Sequence, residues 1–554
     1  MDLAAKLSLN KPIKPLQILI AVIPFFTGIF HEWQSAILAL ALLGILIFEA
    51  LKNKKLEIDY GLPLLFAALV VGLHALSGIW AVDKGMVWLG VVKFLPLPLF
   101  VLAASRKEDL LRFVPLSGAV MTIVSICLSP IEALKGHITV SGRLGGFFEY
   151  PNAFAMFLLA CLILVLFKEK INLTDWIFAV IYLAGIALSG SRTVFALTAL
   201  TAIVFIITVK DKKIKLISIA VLAAGAVLAG FYVSRKLSSL SNMSTFYGRF
   251  LYFADALPVI LKHPLGLGYY GYYYSQGSFQ TGVYSVIHIH NDLLQIFLDI
   301  GWAPAILAIV MVVKAFYKAD FRNKVLLAML TLHLLFDFDM QFISMAVLYL
   351  TVVINSSKTK TKELPSNKVL IPLAVATPVI AVFSLIFGMA SFFNYTRNYE
   401  QAVKFYPNYT EVQKSLLFTS QSNEEMNAIA DKLIKNNPNL SIANDAKARV
   451  AFSNGDIVSM MTYKETAIKN NKYDLSEYLD YIDMLSYAIS LYAGSGDMDS
   501  AEYCMDRCIR LEADLRAVEA GTSDLGWKID DKPDLTLPAE YSEYITLLQN
   551  AKSA

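Results

Sequence analysis

Along the first 393 residues, runs of about twenty apolar residues alternate with short polar connections. Each run is long enough to cross a hydrocarbon layer of roughly 30 Å as a helix. The runs begin near Leu16, Trp33, Tyr60, Met86, Leu110, Asn152, Asp175, Arg192, Ile214, Asp292, Lys324, Met340 and Val369. This pattern predicts an all-α, polytopic membrane bundle of about 12–13 spans over residues 1–393. After Phe393 the chain turns polar but keeps helical periodicity, broken at "YPNYT", "NNPNLS", "SNGD" and "GSGD", which predicts a separate helical domain over 394–554.

Charge along the connections sets the orientation. "KNKK", "SRKED", "KEK", "KDKKIK", "KAFYKADFRNK" and "SSKTKTKELPSNK" are basic, and the positive-inside rule puts them in the cytoplasm. "HEW", "AVDKG", Ile131 to Pro151, "SGSR", Ser234 to His290 and "FDFDMQ" then face outward, with nearly all the histidines. The N-terminal segment has a basic start but no small-residue cleavage site, so it is expected to remain as the first span. An odd number of spans puts residues 394–554 outside. There, "AFSNGDIVSMMTYKETAI" and "YAGSGDMDSAEYCMDRCI" share a small-residue, Gly-Asp, second-helix layout that resembles degenerate tetratricopeptide repeats.

The outer connection 234–290 is too long for a simple turn. Within it "TFYGRFLYFADALPVILKH" has apolar residues at helical spacing, as expected of an amphipathic helix on a membrane surface. A Gly and Tyr loop, "PLGLGYYGYYYSQG", follows, and an interfacial aromatic belt accounts for it equally well.

Composition strengthens the membrane reading: 56% of residues are hydrophobic and 17% charged, with a mean hydropathy of +0.55. A net charge of only +3 gives no basic footprint for nucleic acid. The cysteines, Cys127, Cys161, Cys504 and Cys508, have neither zinc nor disulfide spacing and read as packing residues.

Chemistry concentrates on the outward side. Arg143 in "SGRLGGFFEYPN", Arg192 in "SGSR", Arg249 in "YGRF", His263, His288, His290, Asp337 and Asp339 all lie at span ends. Ionisable groups there cost free energy unless solvated or paired, so they are functional candidates. Read singly, each arginine could simply snorkel to the interface. Three together point to an anion, since guanidinium grips phosphate oxygens with two donors and keeps its charge near lipid; a diphosphate carried on a lipid is the economical choice. In "VIHIHNDLLQIFLDIG", Asn291 or Asp292 can cap the helix that follows, which sets His290 beside the free N–H groups of a helix start. An imidazole there suits deprotonation of a hydroxyl near neutral pH. His290 therefore ranks above His288.

The segments "GRLGGFFEYPNAFAMFL", "LSGSRTVFAL", "GRFLYFADALPVILKHPLGLGYYGY", "HIHNDLLQIFLDIG" and "HLLFDFDMQF" occur in the order seen in the bacterial O-antigen ligase and O-antigen polymerase superfamily. The chain resembles that superfamily, which includes O-linked protein oligosaccharyltransferases, from roughly Ala133 to Leu350. The resemblance implies a metal-independent, inverting glycosyltransferase of the membrane-embedded C class, without cofactor, in the bacterial cytoplasmic membrane. Its donor would be a glycan on polyprenyl (undecaprenyl) diphosphate, transferred to an acceptor hydroxyl at the outer face. By motif, Arg192 and Arg249 match arginines thought to hold the diphosphate, with Arg143 as a third candidate, and His290 matches the histidine proposed to activate the acceptor. Asn152, Asn291, Asp337 and Asp339 lie in family motifs, with His288 beside them. The tetratricopeptide-like tail occurs in only some members.

The residues agree with a missing metal, since "DFD" is the one close outer acid pair and two acids make a poor divalent site. The acceptor is left open among lipid A core, growing glycan and protein; the outer repeat domain favours a polymer or protein and could dock a protein partner. Two further readings stay open. A polysaccharide transporter or flippase should show internal duplication and midplane charges, and a scaffold should tolerate loss of the outer charges.

Overall fold

A computed structural model describes residues 13–104, 109–216, 218–220, 223, 243–357 and 360–553. Most of the run beginning at Ile214, the first residues of the long outer connection, and positions 105–108 of "SRKED" lie outside the described residues. The described chain is helical apart from two short two-stranded sheets. It divides into two compact units, the first drawn from 1–76, 88–241 and 289–392 and the second from 77–87, 242–288 and 393–554. Compactness thus groups most of the outer connection with the C-terminal residues.

The first unit is built around the helix Pro151–Leu166. Proline at its first position lacks the N–H that a helix start leaves unpaired anyway. From Ala153 to Leu166 every residue is buried, as expected of a helix apolar on all sides. The helices Val114–Leu128, Leu173–Ser189, Arg192–Thr208 and Phe321–Leu334 pack around it. Its first turn, carrying Asn152, is thereby fixed by the centre of the bundle.

Three described helices are long and apolar enough to cross a membrane: Glu32–Asn53, Leu62–Ile79 and Ser366–Tyr395. Pro15–Phe25, Val87–Ala103, Val114–Leu128, Pro151–Leu166, Leu173–Ser189, Arg192–Thr208 and Ile343–Ser356 are apolar but shorter. The run expected to begin at Asp292 is not one helix. It breaks into Asp292–Ile300 and Trp302–Lys318 at Gly301, whose φ of 86° and ψ of −167° only glycine adopts readily. The strands Lys55–Tyr60 and Lys360–Pro365 pair antiparallel and so join two connections to which the charge pattern gives the same side.

In the second unit, helices from Tyr399–Phe405 to Ala539–Ser553 follow one another, with neighbours such as Ser441–Ser453 and Ile457–Asn470 packed together. Their core includes Met460, Tyr478, Tyr481, Leu485, Leu511 and Ile545. Cys161, Cys504 and Cys508 are buried free thiols, but Cys127 is exposed and is not a packing residue. The expected outer helix is present as Ser244–Lys262. It buries Gly248, Leu251, Asp255, Ala256, Val259 and Ile260, while Phe246, Phe250, Leu257 and Leu261 form an exposed stripe.

Candidate functional site

In the first unit several of the motifs that the charge pattern assigns to the outward side converge on Asp337, which is 1% exposed. Its carboxylate accepts from Tyr150 Oη at 2.7 Å, from Asn152 Nδ2 at 2.7 Å and from its neighbour's backbone, Phe338 N, at 3.0 Å. Buried charge is tolerated only where hydrogen bonds replace water, and these three do so. Asn152 in turn accepts from Arg143 Nη2 at 2.7 Å. Arg143 Nε donates to the Ser189 carbonyl, also at 2.7 Å, which links this chain of contacts to the "SGSR" turn. Arg192 follows that turn as the first residue of the helix Arg192–Thr208.

On the other side of Asp337, His290 Nδ1 stands 3.4 Å from Oδ1. The His290 ring meets Phe338 edge-on at 4.9 Å, and Phe338 lies 4.7 Å from Tyr150, so aromatic contacts flank two of the carboxylate's neighbours. The His290 side chain remains 23% exposed. Its backbone has a φ of 56°, the left-handed region that costs a non-glycine residue about 1–2 kcal/mol. Strain at a partly open imidazole is the pattern of a functional site.

The strain follows from the turn into the next helix. Asn291 is the cap: its side chain accepts from Leu294 N at 3.0 Å and donates to the Leu335 carbonyl at 2.9 Å. Asp292 is not the cap. It is buried and accepts from Met340 N at 3.0 Å, bracing the segment that holds Asp337. His290 is thus set just before a helix start whose N–H groups favour negative charge.

The two acids of "DFD" have separate partners. Asp339 is wholly buried against His333, which is buried as completely, and stands apart from the His290 chain of contacts. Among the described residues no three His, Cys, Asp or Glu side chains are placed to hold a metal ion. His288 belongs to the second unit, where its ring lies edge-on to Tyr270 at 6.0 Å. Arg249 and His263 belong there too, the first on the helix Ser244–Lys262 and the second at its end.

Sequence reasoning did not single out Tyr150, His333 or Phe338 as site residues. Tyr150 had a signal, since it sits two residues before Asn152 in the same outer motif. His333 and Phe338 likewise sit in the motif "HLLFDFDMQF" with Asp337 and Asp339, but only folding shows which acid each one meets.

The helix Asp292–Ile300 also walls a cavity of about 280 Å³ in the first unit. Its lining is mostly apolar, with Val70, Leu97, Ile296, Met311 and Leu350 among the contributors, and with Asp292, Gln295 and Asp299 along one wall.

The family model for O-antigen ligase matches residues 177–309. No curated protein and no solved structure matches the chain. The matched residues include Arg192, Arg249, His288, His290 and Asn291 and stop short of Asp337.

Proposed function

We propose, from the premise that residues 177–309 form an O-antigen ligase domain, that the chain is a membrane glycosyltransferase of the O-antigen ligase and polymerase family and moves a glycan from a polyprenyl diphosphate to an acceptor hydroxyl. The observation that carries this reading is the connected set Arg143, Asn152, Asp337 and His290, which ends in a partly exposed imidazole.

In the proposed reaction the acceptor oxygen attacks the anomeric carbon and gives its proton to His290. The bond from that carbon to the diphosphate oxygen breaks, and the diphosphate leaves with the electron pair. A single displacement inverts the anomeric centre. Asp337 Oδ1 lies 3.4 Å from Nδ1 of His290, so Nε2 is assigned to receive the proton, and the nearby carboxylate stabilises the imidazolium that forms. Arg192 is assigned to the diphosphate by its motif and by its place at the first position of a 17-residue helix, where backbone N–H groups also attract an anion. Arg249 is assigned to it by motif alone. Arg143, with two of its donors engaged on Ser189 and Asn152, is better suited to holding the site together than to gripping the donor.

The apolar cavity beside Asp292 suits part of the lipid tail. In this reading residues 1–393 form the transferase bundle of about 12–13 spans in the cytoplasmic membrane, residues 394–554 form a tetratricopeptide-like domain outside it, and the acceptor is a growing glycan, a lipid or a protein, with the repeat domain favouring a polymer or protein.

Reconstituted chain supplied with a purified polyprenyl-diphosphate glycan tests the proposal. Release of free polyprenyl diphosphate with acceptor glycosylation is expected, and His290→Ala should abolish it at unchanged membrane expression. Translocation of the donor without release would make the chain a transporter instead.

A further inference from the structure

Resting on the assignment of Arg249 to the donor diphosphate, we propose that the C-terminal segment 522–530 positions the helix bearing this arginine, so that the C-terminal domain serves donor binding through Arg249 and is not only an appended adaptor.

All the contacts that support this lie within the second unit. Along Ser244–Lys262 they occur on both sides of Arg249. Asp530 N donates to Ser244 Oγ at 2.7 Å, and Lys528 Nζ lies 5.7 Å over the ring of Tyr247. Ile529 packs with Leu251 and Tyr284. One turn further on, buried Asp255 accepts from Thr281 N at 2.8 Å, Thr281 Oγ1 at 2.7 Å and Tyr284 Oη at 2.9 Å. Thr281 passes the link onward: its Oγ1 lies 3.0 Å from Ser523 Oγ, and its carbonyl accepts from Ser523 N at 2.9 Å.

Two glycines make the joint. A Cβ on Gly526 would stand 2.5 Å from the Thr281 carbonyl oxygen, and one on Gly282 would stand 2.8 Å from the Cα of Gly526 and from Leu251 Cδ2. Backbone meets backbone here, so a side chain at Gly526 cannot be absorbed by a rotamer change. It must push the C-terminal segment away from the loop that anchors Asp255.

A domain that merely recruits partners needs only a tether to the rest of the chain. Contacts at Ser244, Tyr247, Leu251 and Asp255 instead fix the axial position and rotation of the helix around Arg249. An arginine that binds a diphosphate with two donors depends on that placement, since a displacement of about 1 Å can cost on the order of 100-fold in rate.

The test is a double-mutant cycle on the full-length, reconstituted protein, reading donor KM and kcat separately. Gly526→Val should raise donor KM about tenfold or more with a smaller change in kcat, and Ser523→Ala should raise it a few-fold. Arg249→Ala should show the same KM defect, and the combination with Gly526→Val should be no worse than Arg249→Ala alone, because both remove one interaction. Alkylation reports folding, since Cys504 and Cys508 are buried and Cys127 is exposed. If Gly526→Val exposes the two buried thiols, Ser523→Ala replaces it in the cycle. An unchanged donor KM in the folded variant, or defects that add in the double mutant, overturns the positioning role while leaving the arginine assignment intact. If Arg249→Ala itself leaves donor KM unchanged, the assignment fails and this proposal fails with it.

Discussion

Each unit of the molecule buries an ionic cluster, and the two are built on opposite plans. In the second unit, Lys464 has a fully buried side chain and donates to Glu477 at 2.6 Å, to Asp480 at 2.7 Å and to Asp445. Arg449 reaches across to Asp445 and Asp480 at 2.9 and 2.8 Å. That cluster closes on itself: Lys464 lies on Ile457–Asn470, and the two cations bridge acids from the helices on either side, Ser441–Ser453 and Leu475–Ser495. In the first unit, Asp337 is held by a phenol, an amide and a backbone N–H, and it also neighbours the partly exposed, strained His290. A closed cluster can only hold a fold together. An open-ended one leaves a polarised group partly exposed, where it can do chemistry.

Breaking the closed cluster should have the largest energetic effect. Lys464→Met would leave buried carboxylates short of their cation and should destabilise the second unit by about 3–5 kcal/mol. Denaturation followed by alkylation of Cys504 and Cys508 would measure it. Breaking the open cluster should act on rate more than on stability. Asp337→Asn keeps the shape but loses the charge 3.4 Å from His290 Nδ1, and under the proposed reaction should lower kcat by about 100-fold, or about 2.7 kcal/mol in the barrier. Donor KM should change little, and steady-state kinetics separates the two.

A third test uses Asp83, buried in the second unit, where it accepts from Thr410 Oγ1 at 2.7 Å. Burial pushes its carboxyl up to about 6, against the opposing pull of that hydrogen bond. The folded state therefore holds the proton more tightly than the unfolded state. Asp83 favours folding most below about pH 4, and the advantage is lost as pH rises through about 6. Asp83→Asn should remove that fall, on the order of 2 kcal/mol between pH 4 and pH 6, and paired unfolding curves at the two pH values would show it. The smallest effect is expected at Lys55, whose 3.0 Å ion pair with Glu363 is half-exposed on both sides. Lys55→Ala should leave the thermal midpoint unchanged within error.

Much of this architecture was readable in the residues. The apolar runs gave helices, and "HNDLL" predicted a capped start beside His290, with Asn291 taking the role. The arginine and histidine motifs led to the family whose model matches residues 177–309. Other features depend on contacts that no local pattern encodes. "DFD" reads as one acid pair, yet its members point to different histidines, because alternate positions in a turn face different neighbours. Arg143 reads as a phosphate ligand, and only folding shows that two of its five donors are engaged on Ser189 and Asn152. The outer connection looked like a loop of the transmembrane region, but Thr281 meets Ser523, a partner 242 residues further along the chain. The break at Gly301 had a visible glycine, hidden inside an apolar run that hydropathy averages smoothly.

The antiparallel pairing of Lys55–Tyr60 with Lys360–Pro365 has a consequence for biogenesis. Its second strand leaves the ribosome about 300 residues after the first, a delay of roughly 15–60 s at ordinary elongation speeds. Throughout that interval the early strand is an unmatched edge, open to the wrong partner. Its basic flank, "KNKK", is the kind of charged guard that keeps such an edge single until its proper mate arrives.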